Sequence, residues 1–182
     1  MSESILAQIS GGKRRELDFY PTPPLATVAI LPHIKHFPDP IWECACGDGS
    51  MSKILGHEFR VVGSDIENRG CGLAGIDFLQ MNEMLGGSKS IVTNPPFNLA
   101  HQFITHMHKL NVQHIALLLK ADFWNAKVRR ELFDMRPPSK ILGLTWRLDF
   151  TGAGRPHRNC IWCIWDENYS GTKYELLGKP NG

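Results

Sequence analysis

The sequence contains no long hydrophobic run. No apolar stretch approaches the ~18 consecutive residues of a membrane-spanning helix, and the N-terminal stretch lacks a basic region followed by an apolar one, so we expect neither a membrane partner nor a secretory signal. Charge of one sign does not dominate, because 20 Lys and Arg stand against 18 Asp and Glu. Any basic surface must therefore be local. Cysteines are few and odd in number, at five, so a disulfide framework is not expected and a reducing cytoplasm fits best.

Internal repeats and linker-like segments are also missing. A chain of 182 residues is most simply one domain with a sizeable core. We expect a flexible arm over residues 1–16, which are polar and contain glycine, then a single folded domain over residues 17–168 and a tail over residues 169–182.

Apolar runs alternate with amphipathic segments along most of the chain. Strands are predicted at Ile41–Cys44, Arg60–Ser64, Lys89–Thr93, His114–Lys120, Lys140–Leu148 and Asn159–Trp165, with a short one near Gly75–Phe78. Helices are predicted at Ser50–Leu55, Leu99–Leu110 and Trp124–Phe133, and over LATVAILPHI with Thr22 as N-cap and Pro23 at the first position. The alternation predicts an α/β sheet of mostly parallel strands with helices on both faces. The last two strands lack a helix between them, so they should form an antiparallel hairpin at the sheet's edge.

The segment IWECACGDG leaves the first predicted strand through a glycine loop. In open α/β sheets, ligands bind at the carboxyl ends of strands, and Gly47 and Gly49 would let the backbone turn tightly and approach a ligand. Glycine at a strand–helix turn is as often a matter of geometry alone. Asp65, which ends the next strand 18 residues after Gly47, favours a ligand because its carboxylate can accept both hydroxyl hydrogens of a ribose.

The glycine loop at Gly47 and Gly49 matches neither of two phosphate-binding motifs. After the first predicted strand the chain continues neither as G-x-G-x-x-G nor as G-x-x-x-x-G-K-[ST]. Ligands with a pyrophosphate or triphosphate are therefore not favoured, and a nucleoside without phosphates fits the glycine loop better.

Residues 93–98 read TNPPFN, directly after the apolar run Ser90–Val92. Two prolines stop a helix or a central strand, and Asn-Pro is an ordinary turn dipeptide, so a simple turn is one interpretation. A binding site is the other. A residue before proline is held extended and proline has no N–H, so Asn94 and Pro95 would present hydrogen-bond acceptors without competing donors.

With ECACGDG, SDI, IDF and TNPPF in this order, and DFYPTPP ahead of them, the chain resembles class I S-adenosylmethionine-dependent methyltransferases. It looks most like the small phage-type DNA N6-adenine methyltransferases, from about Asp18 to Asp166. The resemblance implies a Rossmann-like methyltransferase sheet, S-adenosylmethionine as cofactor, DNA as partner and methyl transfer to adenine N6. Restriction-type relatives carry a target-recognition domain. We expect none here, and hence low sequence specificity or a protein partner that supplies it.

The resemblance also assigns cofactor contacts to individual residues. Tyr20 and its neighbours would flank the methionine end, Asp65 the ribose, and Asp77 the amino group of the cofactor's adenine. The full implied set is Tyr20, Thr22, Pro23, Glu43, Ala45, Cys46, Gly47, Asp48, Gly49, Asp65, Ile66, Asp77, Phe78 and Asn94.

The same resemblance implies that the catalytic residues are Asn94, Pro95, Pro96 and Phe97. The lone pair of the adenine amine is delocalised into the ring, so the amine is a poor nucleophile. The Asn94 carboxamide oxygen and the Pro95 carbonyl would grip its two N–H hydrogens and free the lone pair for a direct in-line displacement. Phe97 would stack on the flipped base.

Candidates for nucleic-acid contacts are Arg14, Arg15, Trp124, Arg155, His157 and Arg158. The loop TGAGRPHR lies on the cofactor side if the strand Lys140–Leu148 runs parallel to its neighbours. Solvated charges are an equally good interpretation of the basic residues, and packing is the better one for Trp124. CIWC at Cys160–Cys163 has the spacing of half a zinc site, but residues three apart on a strand face opposite sides. Packing is therefore expected there, and no metal site is predicted.

Other functions stay open on the sequence alone. Asn-Pro-Pro-aromatic motifs also serve cytosine N4, RNA bases and protein glutamine amides, and DFYPTPP is the feature that favours DNA. A non-catalytic partner subunit with the same fold is a second alternative, against which the intact TNPPF and glycine loop argue. A nicotinamide dehydrogenase is the third, and it leaves TNPPF unexplained.

Overall fold

The computed structural model describes residues 20–181, so the predicted arm over residues 1–16 lies outside the described residues. The strands are β1 (Ile41–Glu43), β2 (Val61–Asp65), β3 (Leu73–Ala74), β4 (Ser90–Thr93), β5 (His114–Lys120), β6 (Lys140–Leu144), β7 (Cys160–Asp166) and β8 (Lys173–Leu177). The α-helices are α1 (Pro24–Ile34), α2 (Ser50–Leu55), α3 (Ala100–Lys109) and α4 (Arg130–Met135), and 3₁₀ turns lie at Phe78–Gln80, Leu85–Gly87, Phe123–Asn125 and Lys127–Arg129. None of the helices in the described range is both long and apolar enough to cross a membrane.

The strands form one sheet in the order β3-β2-β1-β4-β5-β7-β6-β8. The first five strands pair in parallel. β7 is antiparallel to both of its neighbours, β5 and β6. β6 therefore runs in the same direction as the first five strands, and β8 runs parallel to β6. The predicted mostly parallel α/β sheet with an antiparallel C-terminal hairpin is therefore confirmed.

The sequence predicted that the hairpin would lie at the edge of the sheet, and this prediction is wrong. β7 is inserted between β5 and β6, and all of its residues are buried. β8 occupies the edge instead, within the segment 169–182 that the sequence suggested to be a tail. Of its residues only Leu177 is buried, so the sequence of β8 carries little of the apolar alternation by which a strand is recognised.

Several predicted element boundaries differ from the structure. The helix predicted from Trp124 begins only at Arg130, because Ala126 is extended, with φ −110° and ψ 131°, and separates two 3₁₀ turns. The strand predicted over Lys140–Leu148 ends at Leu144, and the short strand expected near Gly75–Phe78 lies at Leu73–Ala74. The N-cap of α1 is Pro23 rather than Thr22, and the Thr22 hydroxyl instead accepts a hydrogen bond from Asn94 Nδ2.

Two hydrophobic clusters cover the two faces of the sheet. One contains residues of α1 and α2, and the other contains residues of α3 and α4. β7 contributes to both, with Cys160 and Trp162 on the first face and Cys163 and Trp165 on the second. The packing role predicted for the CIWC cysteines is therefore confirmed, and they face opposite sides as the strand period requires.

Helix α1 is fixed to the sheet by a buried tryptophan. Trp162 is fully buried on β7, and its Nε1 donates a hydrogen bond of 3.0 Å to the carbonyl of Ala26. Ala26 lies in the first turn of α1, directly after the segment Tyr20–Pro23. The contact therefore also sets the position of that segment.

Replacing Trp162 by Phe should lower the free energy of unfolding by about 2–4 kcal/mol. The change removes the bond to the Ala26 carbonyl and leaves a cavity in the core. Urea unfolding measures the effect. Trp146→Phe is the control, because Trp146 is only partly buried and packs at the rim of the same cluster. Equal losses in the two variants would show that the Trp162 bond does not anchor α1.

Candidate active site

The carboxyl ends of β1, β2 and β4 meet at one edge of the sheet and surround a cleft of about 970 Å³, including its mouth. Most of the predicted cofactor and catalytic residues line it: Tyr20, Thr22, Glu43, Ala45, Cys46, Gly47, Asp48, Asp65, Ile66, Asp77, Phe78, Asn94, Pro95, Pro96 and Phe97. Pro23 and Gly49 are not among the lining residues, and they instead cap α1 and α2. Glu67 and Arg69, which the sequence analysis did not single out, also line the cleft.

The glycine loop after β1 is held by the end of β2. Gly47 and Gly49 have positive φ angles of 55° and 78°, which other residues adopt with strain. The Gly47 N–H donates to Asp65 Oδ2 at 2.8 Å, and the Glu67 N–H donates to Asp65 Oδ1 at 2.9 Å. Each carboxylate oxygen keeps a free lone pair after one such bond. Asp65 therefore orders the loop and can still accept hydrogen bonds from a ligand.

Asp77 and Phe78 form another wall of the cleft. Asp77 caps the 3₁₀ turn that follows it, since its Oδ1 accepts from the Leu79 N–H at 3.1 Å. Phe78 is 2% exposed and packs against Trp42 and Phe103, with ring centroids 5.3 and 4.9 Å away. Phe78 is thus mainly a core residue that shows one edge to the cleft.

Acidic side chains dominate the described lining of the cleft. Its single basic lining residue is Arg69, and its carboxylates are Glu43, Asp48, Asp65, Glu67 and Asp77. A low-dielectric cleft lined by one sign of charge attracts ligands of the opposite sign. This cleft therefore suits a cationic ligand and opposes one that carries phosphates.

Glu43 is the most perturbed of these acids. It is 2% exposed, and burial raises its pKa from 4.5 to about 8, although a hydrogen bond from the Ser52 hydroxyl acts in the opposite direction. The carboxylates of Asp48 and Asp65 add to the increase. Glu43 is therefore mostly protonated at neutral pH, and a nearby cation would favour its ionised form.

The turn after β4 keeps a hydrogen-bond acceptor without a partner. Asn94 Nδ2 donates to Thr22 Oγ1 at 3.1 Å, which fixes the orientation of the carboxamide. Asn94 Oδ1 is buried, and no donor among residues 20–181 reaches it. The Pro96 carbonyl accepts from the Leu99 N–H at 2.8 Å to begin the turn into α3, whereas no described donor engages the Pro95 carbonyl. Both acceptors predicted from TNPPFN are thus left available at the cleft.

Three aromatic rings lie together beside Asn94. Phe97 stacks on Tyr20, with centroids 6.3 Å apart, and meets the edge of Phe150 at 5.9 Å. Tyr20 and Phe150 are 5.7 Å apart. Phe150 comes from the loop between β6 and β7, which lies on the cleft side because β6 runs parallel to β5. The sequence analysis missed Phe150, and the direction of that strand was the signal that could have found it.

The residues proposed for nucleic-acid contacts are not gathered at the cleft. Arg14 and Arg15 lie outside the described residues. Trp124 points into the core on the other face, where its Nε1 donates to Cys163 Sγ at 3.3 Å. Arg155 and His157 are exposed on the β6–β7 loop, and Arg158 is half-buried at its base. Packing, the better interpretation of Trp124 from the sequence, agrees with its contacts.

Comparison with known proteins shows likeness in fold alone. No protein-family model and no curated protein sequence matches the chain. A candidate RNA methyltransferase from Pyrococcus horikoshii is 14% identical with a TM-score of 0.63, over 81% of this chain and 85% of that chain. The methyltransferase subunit of a type I restriction-modification system from Streptococcus thermophilus is 13% identical with a TM-score of 0.60, over 87% of this chain and 47% of that chain. The 23S rRNA methyltransferase ErmE is 14% identical with a TM-score of 0.54, over 78% and 67%.

These neighbours share the Rossmann-like methyltransferase sheet. The chain therefore has the class I methyltransferase fold that its motifs predicted. It spans about half the length (47%) of the restriction-modification subunit.

Replacing Glu43 by Gln should make the protein more stable than the wild type, by a margin that grows from about pH 5 to about pH 8. Over this range the unfolded wild-type chain ionises the carboxyl group, whereas the folded chain keeps it protonated. The wild type therefore loses stability as the pH rises, by at most about 1.4 kcal/mol per pH unit. The glutamine variant has no such group. Thermal unfolding at a series of pH values measures the margin.

Glu58→Gln is the matched control, because Glu58 is exposed and does not line the cleft. A constant margin between Glu43→Gln and the wild type at all pH values would contradict a raised pKa at Glu43.

Proposed function

We propose that this protein is an S-adenosylmethionine-dependent DNA methyltransferase, of the small phage type, that methylates the N6 amine of adenine. One observation carries the proposal. The Asn94 carboxamide oxygen is buried without a partner among the described residues, beside the rings of Tyr20 and Phe97. An unpaired buried acceptor costs about 1–3 kcal/mol. A substrate N–H that donates to Asn94 Oδ1 would remove this cost.

S-adenosylmethionine fits the charge of the cleft. It carries a sulfonium and an ammonium against one carboxylate, so it is a net cation and suits the acidic lining. When bound, it supplies a methyl group on a positively charged sulfur. Asp65 can hold ribose hydroxyls with its remaining lone pairs, Asp77 can accept from the adenine amino group, and Glu43 can ionise to pair with the ammonium.

The catalytic residues act by holding the adenine amine. Asn94 Oδ1 and the Pro95 carbonyl accept its two N–H hydrogens, which favours a tetrahedral nitrogen with its lone pair free. Acceptors fixed before the substrate arrives need no reorganisation during the reaction. Phe97 and Tyr20 offer ring surface to the base, and base–aromatic stacking contributes about 1–3 kcal/mol per base. One amine proton leaves to solvent after transfer, so neither acceptor needs to be a strong base.

DNA is the substrate we favour, and the DFYPTPP segment supports it. The Streptococcus thermophilus neighbour belongs by its name to a restriction-modification system, whereas the other two are named for RNA. Methylation of another planar nitrogen, in cytosine, RNA or a protein glutamine, is therefore the alternative. A non-catalytic partner subunit is disfavoured, because it has no need of a buried unpaired acceptor. The free cysteines support a cytoplasmic location, and a protein partner would supply any sequence specificity.

Asn94→Ala should lower kcat for methylation of adenine-containing DNA by roughly 10²-fold or more, as loss of one preorganised hydrogen-bonding group does in other enzymes. S-adenosylmethionine affinity, measured by calorimetry, should change far less. Asn125→Ala is the control, because Asn125 is exposed outside the cleft. An Asn94→Ala enzyme that binds cofactor and keeps full kcat would remove Asn94 from catalysis.

Thr22→Val should lower kcat by roughly tenfold, equivalent to about 1.4 kcal/mol, because the Asn94 carboxamide is then free to rotate. Thr22→Ser keeps the hydroxyl and should restore most of the rate. Thr105→Val, on the exposed surface of α3, is the control for the loss of a hydroxyl. Equal rates in the Val and Ser variants at position 22 would show that the hydrogen bond to Asn94 does not position it.

A further inference from the structure

Two cationic side chains, Lys120 and Arg158, lie near the carboxyl end of β5 and do not line the acidic cleft. Lys120 ends β5, and its Nζ lies 5.2 Å from the centroid of the Phe97 ring. Lys120 does not line the cleft, and no carboxylate of the described residues lies within ion-pair distance of it. Its charge is therefore available next to the ring on which we place the target base.

Arg158 is the second member of the pair. Lys120 is the register partner of Cys160 across β5 and β7, so their side chains share one face of the sheet. Arg158 precedes Cys160 by two residues in extended chain, which places it on the same face. The Arg158 backbone bonds to that of Leu148, with N–O distances of 2.8 and 3.2 Å, so the base of the β6–β7 loop is fixed.

One nitrogen of the Arg158 guanidinium has no hydrogen-bond partner within the described residues. This atom, Nε, is buried. Burial raises the pKa of the Cys160 thiol to about 12, while the nearby charges of Arg158 and Lys120 act to lower it and that of Asp122 acts to raise it. Both cations therefore act on the same thiol, in agreement with their shared face of the sheet. A buried unpaired donor on a cation is a costly arrangement unless an anion completes it.

We propose that Lys120 and Arg158 bind one phosphate of the target strand, next to the base that stacks on Phe97. This inference rests on the proposed function and adds the feature that selects its substrate class. A protein glutamine or a free base has no phosphate to offer this pair. Because the cofactor end of the cleft is acidic, the strand is directed to the end where the two cations lie.

The first test measures binding of a labelled single-stranded oligodeoxynucleotide, a thymidine tract with one adenine, by fluorescence anisotropy over a range of salt concentrations. Lys120→Met and Arg158→Met should each weaken binding by roughly tenfold. Each should also reduce the slope of log affinity against log salt by about 0.7. Lys109→Met, an exposed lysine on α3, should leave both values near those of the wild type.

The second test places a neutral methylphosphonate next to the adenine. The wild type should lose more affinity on this change than Lys120→Met does, because the variant has already lost one of the two contacts to that phosphate and keeps only the contact from Arg158. If Arg158→Met proves unstable, Arg158→Lys replaces it, because lysine keeps the positive charge. Its unfolding temperature is measured first, and it should recover part of the binding.

The outcomes separate this inference from the proposed function. Binding and salt slopes that are the same in wild type and variants would overturn the phosphate site but leave methyl transfer to DNA intact. Failure of the wild type to bind any oligonucleotide would overturn both. The same coupling on a ribo-oligonucleotide alone would support the phosphate site and overturn the DNA part of the proposed function.

Discussion

The hydrogen bond from Asn94 to Thr22 is the contact on which the geometry of the candidate site depends. A carboxamide could rotate until its oxygen met some donor, and this bond prevents that by holding the nitrogen at 3.1 Å from the hydroxyl. Thr22 in turn is placed by α1, which Trp162 fixes to the sheet through the Ala26 carbonyl. The acceptor at the cleft is therefore maintained by core packing on the far side of the helix.

Charge divides the site into two ends. One end is lined by carboxylates, and burial raises the pKa of one of them, Glu43, to about 8. The aromatic end adjoins Lys120, and the strand register places Arg158 on the same face of the sheet as Lys120. The acidic end favours a net-cationic methyl donor and opposes a polyanionic strand, and the end beside the two cations does the reverse. In the proposed function, the reacting groups would meet at Asn94, which lines the cleft beside the aromatic rings.

The sequence predicted the parts of the fold that local patterns specify. The apolar run of β5 and the short helix α2 have the predicted bounds, and the motifs after β1, β2 and β4 converge because parallel strands bring their carboxyl ends to one edge. Contacts between distant segments could not be predicted in this way. The insertion of β7, the edge strand β8 and the approach of Phe150 to Phe97 depend on tertiary pairing that leaves little trace in local sequence. The role of Thr22 shows the same limit, since its sequence context indicated an N-cap.

The most direct test of the central claim is transfer of labelled methyl groups from S-adenosylmethionine to a mixture of unmethylated DNA, RNA and protein, followed by digestion and identification of the labelled monomer by mass. We expect label in N6-methyldeoxyadenosine. Label in a methylated ribonucleoside or glutamine would keep the fold and the acceptor chemistry but contradict the DNA assignment. A protein that binds the cofactor and labels nothing would contradict the assignment of Asn94 to catalysis.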